Sequence, residues 1–175
     1  MSDPKLDDPT TWDGEVLYLP APTGRSELIG IVQDYWQQKC FGRTYPTRAD
    51  IDPLQLGKVL PYLSLTIFQP APFRVQYRLA GSEVVRFYGA EMRGKWVDEI
   101  TIWPPQDIID TMDTYRRIHY DKVPNFGLSL IEWQGRKDHV FEFARFPISE
   151  DGEMVTHCLG VDDFTMIEPP RARAL

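Results

Sequence analysis

The amino-acid sequence predicts an α+β protein with a five-stranded antiparallel sheet, helices between the second and third strands, and an N-terminal helical extension. Two patterns carry this prediction. Helical spacing of apolar residues dominates 26–60, whereas alternating or continuous apolar runs bounded by turn residues dominate 64–79 and 126–165. The chain has 175 residues, of which 42% are hydrophobic, and this suits one domain with a full core.

Charge and cysteine content exclude several classes of protein. The net charge of −7 leaves no broad positive field for a phosphate backbone, so we expect no nucleic-acid partner. No stretch approaches the roughly 18 apolar residues of a membrane span and the N-terminus has no signal-peptide pattern, so we expect a cytoplasmic protein without a membrane partner. Cys40 and Cys158 form no CxxC pair, and we expect both to be free thiols.

The first third of the chain divides into a lead and a helical extension. Residues 1–24 are rich in proline and aspartate, and we expect a flexible or surface-draped lead because prolines oppose a regular helix. Residues 25–62 form the extension. Its first helix follows the capping residue Ser26 and ends near Gly42, and a short second helix begins at Pro53.

The core is predicted over residues 63–167, followed by a loose tail at 168–175. Phe73, Val75 and Tyr77 alternate with polar residues, which is typical of a strand with one buried face. The predicted elements of the core are strands at 64–69 and 73–79, short helices at 82–88 and 96–100, a longer helix from Pro104 to about Asp121, and strands at 126–133, 139–148 and 155–165.

One segment carries a family resemblance. YGAEMRGKW (88–96) resembles the part of PAS domains in which a short helix ends, an acidic–hydrophobic pair follows, and a glycine precedes a further helix. With RADIDP (48–53), the pair Leu60-Pro61 and YRLAGSEVVRFYG (77–89), roughly residues 30–165 resemble the small stand-alone PAS proteins of alphaproteobacteria. The resemblance implies the PAS fold and a sensory or protein-interaction role in signal transduction.

The resemblance also implies a ligand pocket between the sheet and the central helices. Arg145 stands out there because its neighbours on the same strand face, Phe143 and Pro147, are apolar, and a buried guanidinium needs a carboxylate or an anionic ligand. A salt bridge to Glu142, Glu132 or another acid is the alternative. The candidate ligand-binding residues, which could equally be ordinary core, are Tyr77, Leu79, Val84, Phe87, Tyr88, Trp96, Tyr115, Phe143 and Arg145.

The strand at 140–148 is apolar on both faces, so the sheet needs a cover on each side. The first helix is the natural second cover, either within one chain or across a homodimer. The candidate interface residues on this helix are Leu28, Val32, Tyr35 and Trp36.

No cofactor, metal or catalytic centre is predicted. The Asn-Cys-Arg run of flavin-binding, light-sensing PAS domains is missing. His119 is the one residue to consider as a heme ligand, and the favoured alternative is a partly exposed or hydrogen-bonded histidine near a helix C-terminus. His157 and Cys158 are neighbours on a strand and point to opposite faces, so they cannot chelate one metal together. Asp162 and Asp163 are typical of a strand-end turn, and no nucleophile or phosphate-loop motif occurs.

We therefore expect a signalling module without catalytic activity. In the leading hypothesis, a small molecule or a docked signalling protein, such as a histidine kinase, shifts the packing of the first helix against the sheet. One alternative is a ligand-free interaction scaffold with a filled core. The other is a small α+β enzyme or ligand carrier with a cone-shaped fold around a large cavity.

Overall fold

The computed structural model describes residues 15–165 apart from 134 and 135, and over 131–139 it describes the backbone alone. The predictions for the first part of the lead and for the tail at 168–175 therefore lie outside the described residues. The division into lead, extension, core and tail stays a prediction.

The order of helices and strands agrees with the sequence prediction from the first helix onward. Most boundaries differ by two residues or fewer. The elements are β1 (Val16–Leu19), α1 (Glu27–Cys40), 3₁₀ helices at Arg48–Asp50 and Pro53–Tyr62, β2 (Leu63–Pro70), β3 (Phe73–Ala80), α2 (Ser82–Tyr88), a 3₁₀ helix at Val97–Glu99, α3 (Pro105–Asp121), β4 (Asn125–Trp133), β5 (Arg136–Ile148) and β6 (His157–Asp163).

The sheet has six strands in the order β1-β4-β5-β6-β2-β3, and every pairing is antiparallel. The prediction of five strands was wrong because β1 lies in the segment predicted as a flexible lead. It pairs with β4 from Val16 opposite Ser129 to Leu19 opposite Phe126. The prolines that suggested a loose segment, at positions 20 and 22, come after the last strand residue, so they remove no hydrogen-bond donor from the ladder.

Helix α1 covers one face of its own sheet. Ile29, Val32 and Trp36 are buried against apolar residues of β2, β5 and β6. The indole Nε1 of Trp36 donates a hydrogen bond to the carbonyl oxygen of Pro147 at 2.7 Å. Ser26 caps the helix, since its Oγ accepts from the amide of Ile29 at 3.1 Å.

This packing corrects the predicted interface. Val32 and Trp36 are buried in the core of their own chain, and Leu28 and Tyr35 pack at its margin. The buried stripe of α1 runs through Ile29 instead of Leu28. The second cover that the two-faced apolar strand required is thus supplied within one chain, and these four residues do not form an open surface.

The other face of the sheet carries a second apolar core. Phe68 and Val75 project from β2 and β3 and pack under α2, α3 and the segment between them, from which Met92, Val97 and Ile118 are fully buried. Among the described residues, none of the helices combines the length and hydropathy that a membrane crossing requires. Both cysteines are free and buried, as the sequence predicted.

Candidate functional site

A buried ion pair lies on the sheet face that α3 covers. The Nη2 of Arg145, on β5, donates to Oδ1 of Asp162, on β6, at 2.7 Å. The Nη1 of Arg145 donates to the carbonyl oxygens of Ala144 and Val161 at 3.0 and 3.2 Å. Burial raises the pKa of Asp162, and the positive charge of Arg145 opposes that rise.

This pair refines two predictions. Arg145 does form a salt bridge to an acid, but Glu142 lies on the opposite face of β5, where its carboxylate accepts from Thr23. Asp162 and Asp163 are buried on opposite faces of β6. Asp163 ends the strand and its Oδ1 accepts from the amide of Thr165 at 2.9 Å, so the predicted strand-end turn is present at Asp163, whereas for Asp162 the prediction was wrong. The register that brings Asp162 to Arg145 joins segments 17 residues apart, and local sequence does not specify it.

Gly160 makes the ion pair sterically possible. It lies opposite Arg145 in the β5–β6 register. A Cβ at this position would come within 2.4 Å of Ser64 Oγ and 3.2 Å of the Cδ and Nη1 of Arg145. The bare glycine backbone therefore lets the Arg145 side chain lie across β6 towards Asp162.

A small open pocket adjoins the ion pair between α3, β1 and the sheet. Its volume is about 40 Å³, which gives room for about three water molecules. Carboxylates of Glu15, Asp107 and Asp110 line it together with a predominantly aromatic wall. The aromatic lining residues are Tyr77, Tyr88, Trp103, Tyr115, Phe141 and Phe143.

The structure brings together five of the nine residues predicted as pocket candidates. Tyr77, Tyr88, Tyr115, Phe143 and Arg145 all line this pocket. Burial raises the pKa of each of the three tyrosines above the ordinary value of 10.0. These hydroxyls are therefore neutral near pH 7, where they act as hydrogen-bonding groups.

The other four candidates lie elsewhere. Val84 is fully buried in the core beneath α2, and Phe87 stacks on Phe164 with ring centroids 3.9 Å apart. Trp96 is half-buried and lies under the guanidinium of Arg74, 4.3 Å from its ring centroid. Leu79 packs against the core on the α1 face instead.

A β-bulge explains the position of Leu79. In a regular strand Tyr77 and Leu79 would share a face. The β2–β3 register shifts between Leu65 and Thr66, which pair with Leu79 and Tyr77, so Arg78 is the extra residue. Leu79 therefore turns to the opposite face from Tyr77.

Three buried donors in this pocket lack partners. The Nε1 of Trp103 and the Nε of Arg145 make no hydrogen bond to any described residue. The hydroxyl of Tyr115 also makes none of ordinary geometry, although the hydroxyl of Tyr77 lies near enough to affect its pKa. All three residues line the pocket. An unmet buried donor costs about 1–3 kcal/mol, so this end of the pocket favours an acceptor supplied by water or a ligand.

The sequence reasoning missed the polar side of α3. Asp107, Asp110, Thr111 and Thr114 line the pocket at helical spacing of three and four residues. That spacing is visible in the sequence, but the apolar residues beside it, such as Met112 and Ile118, give a stronger signal for the buried face. Trp103 was missed because it lies just before the helix, where no periodicity marks it.

Strand β1 links the pocket to α3. The hydroxyls of Tyr18 and Thr114 are 3.0 Å apart and hydrogen-bonded, and the guanidinium of Arg117 lies 4.0 Å from the ring centroid of Tyr18. Val16, on the same strand face as Tyr18, lines the pocket. One wall of the mouth therefore belongs to the N-terminal strand.

Beyond β1, the chain is tied to the opposite face of the sheet. Both the amide and the hydroxyl of Thr23 donate to the buried carboxylate of Glu142, at 2.8 and 2.7 Å. Ser26 donates to Oδ2 of Asp163 at 2.7 Å, and Asp163 lies opposite Glu142 in the register. These contacts connect the pocket wall to the start of α1.

His119, His157 and Cys158 lie apart from the described pocket lining. His119 has its Nδ1 2.8 Å from the carbonyl oxygen of Val155 and its ring against Phe68, so it occupies the hydrogen-bonded position that was the alternative to a heme ligand. Burial raises the pKa of Cys158 to about 12, while burial lowers the pKa of His157.

Comparisons with known proteins yield one match. A family model described as PAS domain matches residues 26–161, which run from the α1 cap into β6. The matched range contains every pocket-lining residue except Glu15 and Val16. No curated protein and no solved structure gives a significant match.

Proposed function

Because the chain belongs to the PAS domain family, we propose that it is a sensory module of signal transduction that binds a small polar molecule in the pocket beneath α3. The family suggests a sensory or interaction module. The observation that favours a ligand is the convergence of three unpartnered buried donors, from Trp103, Tyr115 and Arg145, on one pocket.

The pocket chemistry supports binding without conversion. The guanidinium of Arg145 and the carboxylate of Asp162 are engaged with each other at 2.7 Å. The pKa values of Tyr77, Tyr88 and Tyr115 are raised by burial, so none of these hydroxyls is suited to give up its proton near pH 7. In the proposal these groups orient a ligand and the protein catalyses no reaction.

The signal would leave through the N-terminal segment. In this proposal a ligand at the mouth contacts both α3 and β1. Its binding would change how β1 packs against α3, where Tyr18 of β1 is hydrogen-bonded to Thr114 of α3. The bonds of Thr23 and Ser26 to Glu142 and Asp163 carry that change to the start of α1. Such a switch requires that the ligand bind the two arrangements with different affinities. The receiver in this proposal is a cytoplasmic signalling protein such as a histidine kinase.

A second candidate function is a ligand-free interaction scaffold. The observation that favours it is the pocket volume of about 40 Å³, which a few water molecules could fill. This pocket is too small to enclose the whole ligand of a carrier protein. In this version the three donors bind water, and the domain signals only through its partner.

Native mass spectrometry of protein purified from its own host tests the proposal. We expect a small molecule at one per chain, released on denaturation and then identified. Tyr115→Phe should reduce its occupancy because it removes one donor and keeps the ring. Tyr120→Phe is the matched control, since Tyr120 is on the same helix but 62% exposed and outside the pocket lining.

An empty wild-type protein with another protein attached would overturn the ligand proposal and support the scaffold. The same spectrum gives the oligomeric state. This tests the predicted homodimer, whose interface would have to lie elsewhere than the buried face of α1.

A further inference from the structure

The most buried part of the pocket lining, which we call its inner end, favours a ligand atom that accepts hydrogen bonds and need not carry a negative charge. Trp103, Tyr115 and Arg145 are 7%, 1% and 7% exposed and line the pocket, and each has a buried donor atom without a hydrogen bond of ordinary geometry. The positive charge of Arg145 is already balanced by Asp162. The three donors need an acceptor atom with lone pairs, and the oxygen of a carboxylate or an amide supplies them.

The more exposed part of the lining, which we call the mouth, is acidic and contains Glu15, Asp107 and Asp110. Glu15, Asp107 and Asp110 bring three carboxylates to the lining, and Arg145 is the only cationic residue among the described lining residues. Asp110 Oδ1 accepts from Gln106 Nε2 at 2.8 Å, and this amide donor brings no positive charge to the carboxylate. Clustered charges of one sign in a cleft attract the opposite charge, so this mouth favours a cation.

Size and wall chemistry fit the same ligand. A volume of about 40 Å³ accommodates a group of about three non-hydrogen atoms, the size of a carboxylate, with the remainder of the molecule in the open mouth. Tyr88, Phe141 and Phe143 present aromatic rings along the wall. Such rings attract an ammonium group through cation–π interactions.

We propose that the pocket selects a small molecule carrying an acceptor oxygen and a cationic amine a few bonds apart, the chemistry of an amino acid or its amide. The oxygen meets the donors of Trp103, Tyr115 and Arg145, and the amine meets the carboxylate of Asp110 in the mouth. This inference rests on the proposed ligand-binding function and adds the chemical class of the ligand.

Titration of the ¹⁵N-labelled full chain, followed by two-dimensional NMR, tests the class with four probes. Glycine and glycinamide carry both groups, acetate carries the oxygen alone, and methylamine carries the amine alone. We expect saturable shifts of amides in α3 and β1 with glycine or glycinamide, and binding weaker by about tenfold or more for each half-molecule, since each lacks one polar contact. Whichever of glycine and glycinamide binds more tightly identifies the acceptor as carboxylate or amide.

Two variants locate the contacts. Asp110→Asn should weaken binding of the two-group probe by about fivefold to tenfold, because it removes one charge facing the amine. Asp113→Asn is the matched control, since Asp113 is exposed on the same helix, outside the pocket lining, and should leave binding unchanged. Trp103→Phe keeps an aromatic ring and removes the Nε1 donor, so it should weaken the binding of acetate and of glycine by a similar factor.

The outcomes separate this inference from the function on which it rests. Acetate binding as tightly as glycine, or no saturable binding of either two-group probe, overturns the proposed class. If a ligand without an amine is released from host-purified protein, the class is also wrong but the sensory function stands. An empty protein that binds none of the four probes overturns both.

Discussion

Replacing Arg145 with methionine should destabilise the domain strongly, because it leaves the buried carboxylate of Asp162 without its ion-pair partner. Arg145 and Asp162 are 7% and 2% exposed, and the pair is joined at 2.7 Å. Removing one partner of such a pair typically costs about 3–5 kcal/mol of unfolding free energy. That is a large fraction of the roughly 5–15 kcal/mol by which domains are stable.

The loss should depend on pH in a defined direction. Burial already raises the pKa of Asp162 above its ordinary 3.8, and removing Arg145 takes away the charge that opposes the rise. The folded variant then holds its proton at pH values where the unfolded chain has released it, so stability falls as pH increases above 3.8. The deficit of Arg145→Met relative to wild type should be smallest near pH 4 and largest at neutral pH.

Urea denaturation of wild type, Arg145→Met, Asp162→Asn and the double variant measures this as a double-mutant cycle. The double variant should be more stable than Arg145→Met by about 2 kcal/mol, because it no longer buries an unpaired charge. The reasoning is refuted if Arg145→Met loses under about 1 kcal/mol at pH 7, the value of an exposed ion pair. A deficit that does not change between pH 4 and pH 7 would also contradict it.

Three further predictions test the packing. Trp103→Ala should cost about 3–5 kcal/mol in urea denaturation and Trp96→Ala clearly less, because Trp103 is 7% exposed and Trp96 is half-buried; equal losses would contradict the placement. Ser26→Ala should cost about 1–3 kcal/mol, since it removes the cap of α1 and a donor to a buried carboxylate, and Ser82→Ala, which caps nothing through its side chain, is the control. Burial lowers the pKa of His157 from 6.5, so the imidazole binds its proton at a higher pH in the unfolded chain than in the folded chain. Stability should therefore fall as pH decreases below 6.5, and His157→Gln should remove that part of the pH dependence.

The order of elements was predictable because its signals are local. The cap at Ser26, the prolines before α3 and the alternation in β3 each act within a few residues of the structure they specify. The segment at 88–96 carries the family resemblance in the same local way, and the family match confirms it. Local signals of this kind can be recognised in the sequence without knowing which strands pair in the sheet.

The site was only partly predictable because its geometry depends on pairing between distant segments. Sequence alone indicated that Arg145 needs a carboxylate or an anionic ligand, and only the β5–β6 register showed that the carboxylate of Asp162 meets it. One bulge in β3 moved Leu79 off the pocket face. In both cases a shift of one residue in register reverses the face of a side chain, and nothing in the local sequence encodes that shift.

The sequence by itself determined the α+β class and the need for a cover on both faces of the sheet, because short-range periodicity suffices for these, and the motif at 88–96 carried the family resemblance. Only the tertiary structure decided that α1 covers its own sheet, that β1 supplies a sixth strand, and that three unpartnered donors meet beside an acidic mouth. Those features arise where segments far apart in the chain come into contact, and the chemistry of the pocket exists only after they have done so.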